Sequence, residues 1–221
     1  MSLNISKGNM YDFVTHTWNT VKGSCPHDCA YCYMKRWGKL NPPRLDVSEF
    51  KTDLGSGNFI FVGSSNDLFA AEHPDEWILK TLKHCEQHDS RYLFQSKNPA
   101  RILDFISHPV FKKSVICTTI ETNRWYGFMG DAPTTIERAN AMSKLAKYVT
   151  TFVTIEPIMK FDLDELHRLI RLCSPRQVNI GADTGNNKLP EPSNEDILAL
   201  ITELEAFTKV KQKDNLKRLI R

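Results

Sequence analysis

Residues 17–33 read TWNTVKGSCPHDCAYCY, a short run of β-favouring residues that leads directly into three closely spaced cysteines. Cys25, Cys29 and Cys32 have the spacing C-x3-C-x2-C, and an aromatic residue precedes the last of them. Three thiolates this close together can converge on one metal centre. Iron–sulfur clusters usually take four cysteines, but the next one, Cys85, lies far along the chain in a predicted helix. On a four-iron cluster, three cysteines would leave one iron open to a small molecule.

A structural zinc site is the alternative interpretation of the same cysteines. His27 lies within the motif and His16 shortly before it, so either histidine is a candidate fourth ligand of a Cys3His site. Structural zinc sites usually use paired C-x2-C turns, however, and this loop has only one. The other cysteines are separated in apolar runs and are expected to be small buried side chains: Cys85, Cys117 and Cys173.

Outward from this loop, short β-rich runs alternate with longer amphipathic runs. The predicted strands are rich in Val, Ile, Phe and Thr, as buried parallel strands are, and they are Thr17–Lys22, Phe59–Gly63, Tyr92–Gln95, Ser114–Ile120, Val149–Ile155 and Gln177–Gly181. Helical spacing of apolar residues and proline at helix starts predict helices over 74–86, 99–106, from Pro133, 163–170 and 197–204, with a further candidate over 47–54. Six such units predict a parallel α/β domain, and a partial (β/α)6 barrel fits their number best.

The length and composition are those of one globular domain. The chain has 221 residues, of which 41% are hydrophobic, and we expect one domain over 1–221 with its core at about 14–208. A basic tail over 209–221 is predicted to be the solvated end of a final helix, and contact with phosphates or with an acidic redox partner is the alternative. There is no run of about 20 apolar residues and no signal-peptide pattern in MSLNISKGNMYDF, so we expect a cytoplasmic protein without membrane contact. The net charge of +3 is too small to predict nucleic-acid binding.

Polar residues follow each of the five predicted strands after the first, where a packed core would not need them. In a parallel sheet the carboxyl ends of the strands meet at one edge, and ligands bind there. Any one of these residues could be an ordinary helix cap, but their occurrence after five strands predicts a binding edge. The residues are Ser64, Ser65 and Asn66, then Lys97, then Glu121 and Arg124, then Glu156, and finally Asp183.

The cysteine motif, with its aromatic residue before the last cysteine, resembles the signature of the radical S-adenosylmethionine (SAM) superfamily. This resemblance implies a partial (β/α)6 barrel and a [4Fe-4S] cluster held by Cys25, Cys29 and Cys32. It implies that SAM chelates the open iron and is cleaved by one electron to a 5′-deoxyadenosyl radical, which abstracts hydrogen from a substrate. It also implies a small electron donor of the flavodoxin or ferredoxin kind.

The resemblance also implies roles for the polar strand ends. Ser64, Ser65 and Asn66 occupy the place of the glycine-rich motif that binds the SAM amine, although they lack its usual Gly-Gly-Glu form. Glu121 would accept hydrogen bonds from the ribose hydroxyls, and the backbone of Tyr31 would contact the adenine. The remaining candidates are Glu156 for the cofactor, and Lys97, Arg124 and Asp183 for a substrate pocket.

Three further segments resemble a phage-associated radical SAM family of largely unassigned function, with some likeness to spore photoproduct lyases. They are SNDLF at 65–69, FQSKNPAR at 94–101 and TIEP at 154–157. This resemblance suggests a nucleotide or a nucleic-acid base as the substrate, on which Trp37, Trp125 and Tyr126 are candidates for stacking. The competing hypotheses are a non-enzymatic zinc module, and an acid–base enzyme that uses carboxylates such as Glu121 and Glu156.

Overall fold

Strands and helices alternate along most of the chain in a computed structural model, which describes residues 3–7 and 10–220. The strands are β1 (Asn4–Ile5), β2 (His16–Trp18), β3 (Val21–Lys22), β4 (Arg44–Leu45), β5 (Phe59–Val62), β6 (Arg91–Gln95), β7 (Ser114–Thr119), β8 (Thr150–Ile155), β9 (Gln177–Ile180) and β10 (Lys209–Gln212). The α-helices are α1 (Asp75–Glu86), α2 (Pro99–Ile102), α3 (Thr135–Leu145), α4 (Leu163–Leu172) and α5 (Asn194–Glu205). In the part of the chain that is described, no helix has the length and apolar content needed to cross a membrane.

One sheet of eight strands has the order β1-β2-β5-β6-β7-β8-β9-β10. All neighbours from β2 to β10 pair in parallel, and only β1 pairs antiparallel, with β2. A separate antiparallel pair joins β3 to β4. Between β5 and β10, each strand is followed by a helix before the next begins. The predicted fold class, an α/β fold built on a parallel sheet, is therefore confirmed.

The two faces of the sheet bury different sets of side chains, because successive residues of a strand point to opposite sides. On one face, Ile60 and Val62 of β5 belong to a large apolar core shared with the helices. On the other face, Phe61 and Leu93 belong to a smaller core that contains no helical residue. Tyr11, from the segment before β2, packs into this second core. The amino-terminal segment thus packs on the face of the sheet that the helices do not cover.

The prediction for the C-terminal segment was wrong. Residues 209–212 are not the solvated end of a helix but the edge strand β10, which pairs in parallel with β9. The segment continues into a 3-10 turn, Asp214–Arg218, in which Leu216 is fully buried. Pairing with β9 and burial of Leu216 anchor this segment, so its lysines belong to an ordered part of the chain and not to a free tail.

Two local predictions also need correction. The first predicted strand, Thr17–Lys22, is divided between β2 and β3, which belong to different sheets. The helix expected over 47–54 is instead a short 3-10 segment, Val47–Lys51. It begins after Asp46, and the Asp46 carboxylate accepts a hydrogen bond from the backbone N–H of Ser48. The division after β2 redirects the chain towards the cysteine loop.

Candidate functional site

A cavity of about 1040 Å³ lies at the carboxyl ends of the parallel strands. Most of the candidate residues from the sequence line it, namely Cys25, Cys29, Tyr31, Cys32, Ser64, Ser65, Asn66, Lys97, Glu156 and Asp183. Glu121 and Arg124 are not among its lining residues. The strand ends therefore converge as expected, with these two exceptions.

The cysteine loop is folded by two consecutive turns. The N–H of Asp28 donates to the carbonyl of Cys25 at 3.2 Å, and the N–H of Cys32 donates to the carbonyl of Cys29 at 3.1 Å. Cys29 is buried, whereas Cys25 and Cys32 are partly exposed. All three line the same cavity. The loop thus presents three free thiols to one space.

A second loop packs closely on the cysteine loop. The N–H of Ala30 donates to the carbonyl of Phe128 at 2.9 Å, and the N–H of Asp131 donates to the carbonyl of His27 at 2.8 Å. Gly130 has a φ of +74°, and a Cβ at this position would lie 2.0 Å from the carbonyl oxygen of His27. Because no side chain fits there, glycine is required for the two loops to approach this closely.

The loop after β5 holds the cysteine loop through buried side chains. The Asn66 amide donates to the carbonyls of Gly23 and Ser24 at 3.2 and 2.9 Å, and its oxygen lies 2.8 Å from Nε2 of His73. The two preceding residues also bond to the protein: Ser64 Oγ and the Ser65 N–H both donate to the side-chain oxygen of Asn19, at 3.2 and 2.9 Å. These hydrogen bonds connect the loop after β5 to the segments that flank β3.

Asp67 joins three loops and was not among the predicted site residues. One of its carboxylate oxygens lies 2.7 Å from Nε2 of His27 and accepts from Ser96 Oγ at 3.0 Å and from the Lys97 N–H at 2.7 Å. Burial would raise the pKa of Asp67, but the hydrogen bond and charge of His27, with the bonds from Ser96 and Lys97, hold it below its usual value. The sequence signal for this role was its position directly after the Ser64–Asn66 stretch.

Glu121 lies behind the cavity wall and is fully buried at the centre of a charge cluster. Its carboxylate accepts from the Tyr31 hydroxyl at 2.5 Å and from Arg138 Nη1 at 2.8 Å, and it forms a close ion pair with Lys97. Burial would raise the pKa of Glu121, but Arg138 and Lys97 outweigh that effect and hold this pKa well below its usual range. Arg138 comes from α3 and was missed, because an arginine in a helix gives no sequence signal that it points inward.

The opposite side of the cavity is formed by Glu156 and the C-terminal segment. Lys213 Nζ lies 2.5 Å from one carboxylate oxygen of Glu156, and the Asn215 amide donates to the other at 2.7 Å. Lys213 Nζ also lies 4.8 Å from the centre of the Tyr11 ring. A Cβ on Gly181 would lie 2.6 Å from Glu156 Oε1, so glycine makes room for this carboxylate. Lys213 was missed because its segment was predicted to be a solvated tail.

Two of the residues predicted for a substrate pocket have protein partners of their own. Asp183 lines the cavity, and its carboxylate accepts from the N–H groups of Gly185 and Asn187 at 3.0 and 2.6 Å. Arg124 is paired with Asp162 through two hydrogen bonds of 2.9 and 2.6 Å near the protein surface. Lys97, the third, both lines the cavity and pairs with Glu121.

The thiols fit a cluster ligand set by their chemistry and placement. Burial raises the pKa of Cys25 to about 12 and also raises that of Cys29, so a bound metal must displace protons from these thiols. Within residues 3–7 and 10–220, no three His, Cys, Asp or Glu side chains lie close enough together to hold a single metal ion as they stand. The His27 ring is directed to Asp67, and His16 does not line the cavity. The three free thiols line one cavity, and cysteine thiolate is the usual protein ligand of an iron–sulfur cluster.

Comparison with known proteins identifies the fold. No protein-family model matches this chain, and no curated protein sequence matches it significantly. A mutant spore photoproduct lyase with bound AdoMet and dinucleoside spore photoproduct is similar in structure, with a TM-score of 0.67 and 13% identity over 95% of this chain and 80% of that chain. Spore photoproduct lyase complexed with dinucleoside spore photoproduct gives a TM-score of 0.68 and 12% identity, over 94% of this chain and 78% of that chain.

These matches show a shared fold. They cover 94–95% of this chain, and the fold agrees with the partial barrel expected from the sequence. The proposed link to a phage-associated family gains no support from them.

Proposed function

We propose that this chain is a radical SAM enzyme. The observation that carries the proposal is the convergence of Cys25, Cys29 and Cys32 on one cavity at the carboxyl ends of the strands. The fold is also that of a lyase whose structure contains AdoMet. When bound, a [4Fe-4S] cluster and SAM supply a 5′-deoxyadenosyl radical that abstracts hydrogen from a substrate. A small electron donor of the flavodoxin or ferredoxin kind is the proposed source of the electron.

The residues of this chain have separate tasks under this proposal. Cys25, Cys29 and Cys32 hold three irons, while Asn66 and Asp67 keep the cysteine loop in place through buried hydrogen bonds. Ser64, Ser65 and Tyr31 line the cavity next to the thiols and are the proposed contacts for SAM, together with Glu156. Apolar packing of the second loop against Cys29 and Tyr31 limits the access of water.

The proposed role of Glu121 changes from a ribose contact to a positioning residue. Its carboxylate is fully buried and bonded to Tyr31, Lys97 and Arg138. It therefore fixes the Tyr31 phenol and the Lys97 ammonium, both of which line the cavity. The same burial argues against Glu121 as a proton-transfer group of an acid–base enzyme, since such a group must reach its substrate.

The substrate class that we propose is a nucleotide or a nucleic-acid base. Support comes from the matched lyase, which binds a dinucleoside, and from the size of the cavity. Lys97 and Asp183 are the proposed substrate contacts because both line this cavity. Arg124, which is paired with Asp162 outside the lining, is a weaker candidate.

Anaerobic reconstitution with iron and sulfide tests the proposal directly. We expect a brown protein that contains iron and sulfide and that forms 5′-deoxyadenosine from SAM in the presence of dithionite. Cys29→Ala should abolish both the cluster absorbance and SAM cleavage, whereas Cys173→Ala, which removes a buried thiol of the helical core, should retain both. A colourless protein that binds zinc at the same cysteines and leaves SAM intact would identify the zinc module instead.

A further inference from the structure

Two exposed aromatic rings enclose an arginine immediately after the cysteine loop. In the 3-10 segment Tyr33–Trp37, the Arg36 guanidinium carbon lies 5.6 Å from the centre of the Tyr33 ring and 5.1 Å from that of Trp37. Tyr33 is 46% exposed and Trp37 is 65% exposed. The Tyr33 hydroxyl donates to the carbonyl of Ser64 at 2.8 Å, which fixes this ring to the loop after β5. Planar surfaces are thus held open to solvent beside the candidate site.

The same region carries cationic side chains that form no ion pair with the described residues. Lys7, Arg36 and Lys39 line the cavity, and no described carboxylate lies within ion-pair distance of them. Lys35, in contrast, is paired with Asp28 at 2.7 Å. A positive surface next to exposed rings favours a ligand that is both anionic and flat. Unpaired nucleic-acid strands have this combination, since bases stack on aromatic rings and phosphates pair with lysine.

We propose that Tyr33, Arg36 and Trp37 form a stacking platform that binds an unpaired base of a single-stranded nucleic acid beside the cavity. Lys7 and Lys39 would contact the neighbouring phosphates. The proposal deepens the proposed function, and rests on it, because it requires a nucleic-acid strand as the substrate or as part of it. An acidic electron-transfer protein could pair with the lysines but does not require exposed aromatic faces.

Binding of a fluorescein-labelled 15-nucleotide oligo(dT) to the reconstituted protein, followed by anisotropy, tests the platform. We expect Trp37→Ala to weaken binding by about tenfold and Trp37→Phe, which keeps a flat ring, to weaken it much less. Trp125→Ala is the matched control, because Trp125 is 71% exposed but no described cation stacks on it. It should change the affinity by less than about twofold. Lys39→Ala should reduce the dependence of log affinity on log salt concentration by about 0.7.

Each outcome separates the platform from the proposed chemistry. Cleavage of SAM by the protein with dithionite as reductant, in the absence of oligonucleotide, measures the proposed function alone. A melting curve for each variant checks that it is folded. The platform is contradicted if oligo(dT) does not bind, or if Trp37→Ala and Trp125→Ala bind it equally well. It is also contradicted if Trp37→Ala slows reduction of the cluster by an acidic flavodoxin but leaves the affinity for oligo(dT) unchanged. If the unaltered protein did not cleave SAM but bound oligo(dT) with an affinity that depends on Trp37, the radical SAM proposal would be rejected and the platform retained.

Discussion

The two sides of the cavity are held in different ways. The cysteine wall, which consists of loop 23–33 and its supports Asn66 and Asp67, is held by side chains from loops that follow neighbouring strands. The C-terminal wall, which consists of Glu156, Asp183 and Lys213, depends on residues from the end of the described chain. Arg218 also reaches the carbonyl of Asp183 at 3.0 Å. The cysteine wall is therefore assembled from loops that follow β5, β6 and β7, whereas the C-terminal wall is completed only when the last strand is in place.

The charges of the two walls differ in their exposure. Behind the cysteine wall, the Glu121 carboxylate is fully buried and is paired with Arg138, which is 1% exposed, and with Lys97, which is 18% exposed. In the C-terminal wall, the Glu156 and Lys213 side chains keep 18% and 11% of their surface exposed. Buried charges are costly to leave without a partner, and partly exposed ones can be solvated. Removing a partner should thus cost more in the cysteine wall than in the C-terminal wall.

The largest effect is expected from removal of the segment that completes the C-terminal wall. A chain that ends at Thr208 loses β10 and the buried Leu216, and loss of one buried leucine side chain alone costs about 2–5 kcal/mol. It also exposes the backbone edge of β9. We expect the truncated chain to lose cooperative unfolding in urea, measured by circular dichroism, or to aggregate.

The control for this truncation keeps β10 and removes positive charge from the same segment. The double variant Lys209→Gln and Lys217→Gln alters two exposed lysines of the same segment and should unfold like the unaltered chain. If the chain that ends at Thr208 unfolded at the same urea concentration as the full chain, residues 209–220 would be a solvated tail after all.

A smaller but still large effect is expected at the base of the cysteine wall. Glu121→Gln leaves Arg138 and Lys97 without their buried counter-charge, which should cost about 4 kcal/mol at pH 7. Because the pKa of Glu121 is lowered in the folded protein, its contribution is complete above its unfolded pKa of about 4.3. This contribution is lost as the pH falls through the folded pKa. The difference between the two proteins should therefore be constant from pH 8 to pH 5 and shrink below pH 4.

Urea denaturation at several pH values under reducing conditions measures this difference. Glu203→Gln, which alters an exposed glutamate of α5, serves as the control and should show no comparable change. A Glu121→Gln variant as stable as the unaltered chain at pH 7 would show that the carboxylate is not an essential part of the wall.

The same contrast explains how much could be predicted from the sequence. The alternation of apolar strands and amphipathic helices was sufficient for the parallel α/β fold, and the spacing of Cys25, Cys29 and Cys32 was sufficient to locate one wall of the cavity. Contacts between segments far apart in the chain could not be predicted in this way. Arg138 reaches Glu121 from a helix, and Lys213 reaches Glu156 across 57 positions. The sequence around Arg138 or Lys213 contains no pattern that indicates which distant carboxylate it pairs with.

The weakest of the three effects is a coupling within the C-terminal wall. Lys213 and Lys211 are two residues apart, but Lys213 meets Glu156 inside the cavity whereas Lys211 meets Asp12 at the surface. A double-mutant cycle of Lys213→Met and Glu156→Gln should give a coupling of about 1.5 kcal/mol in free energy of unfolding. Water competes less for the Lys213 pair, because only 11% of the Lys213 side chain is exposed, compared with 41% for Lys211.

The matched cycle of Lys211→Met and Asp12→Asn isolates the effect of that exposure. The Lys211 and Asp12 atoms lie 2.9 Å apart, a distance close to that of the inner pair, so the two cycles differ mainly in burial. We expect the outer coupling to be below about 0.5 kcal/mol and to fall further in 1 M salt, while the inner coupling changes little. Equal couplings, equally sensitive to salt, would mean that Glu156 and Lys213 are solvated like a surface pair. The C-terminal wall would then be a flexible edge of the cavity, and its difference from the cysteine wall would be one of rigidity as well as of origin.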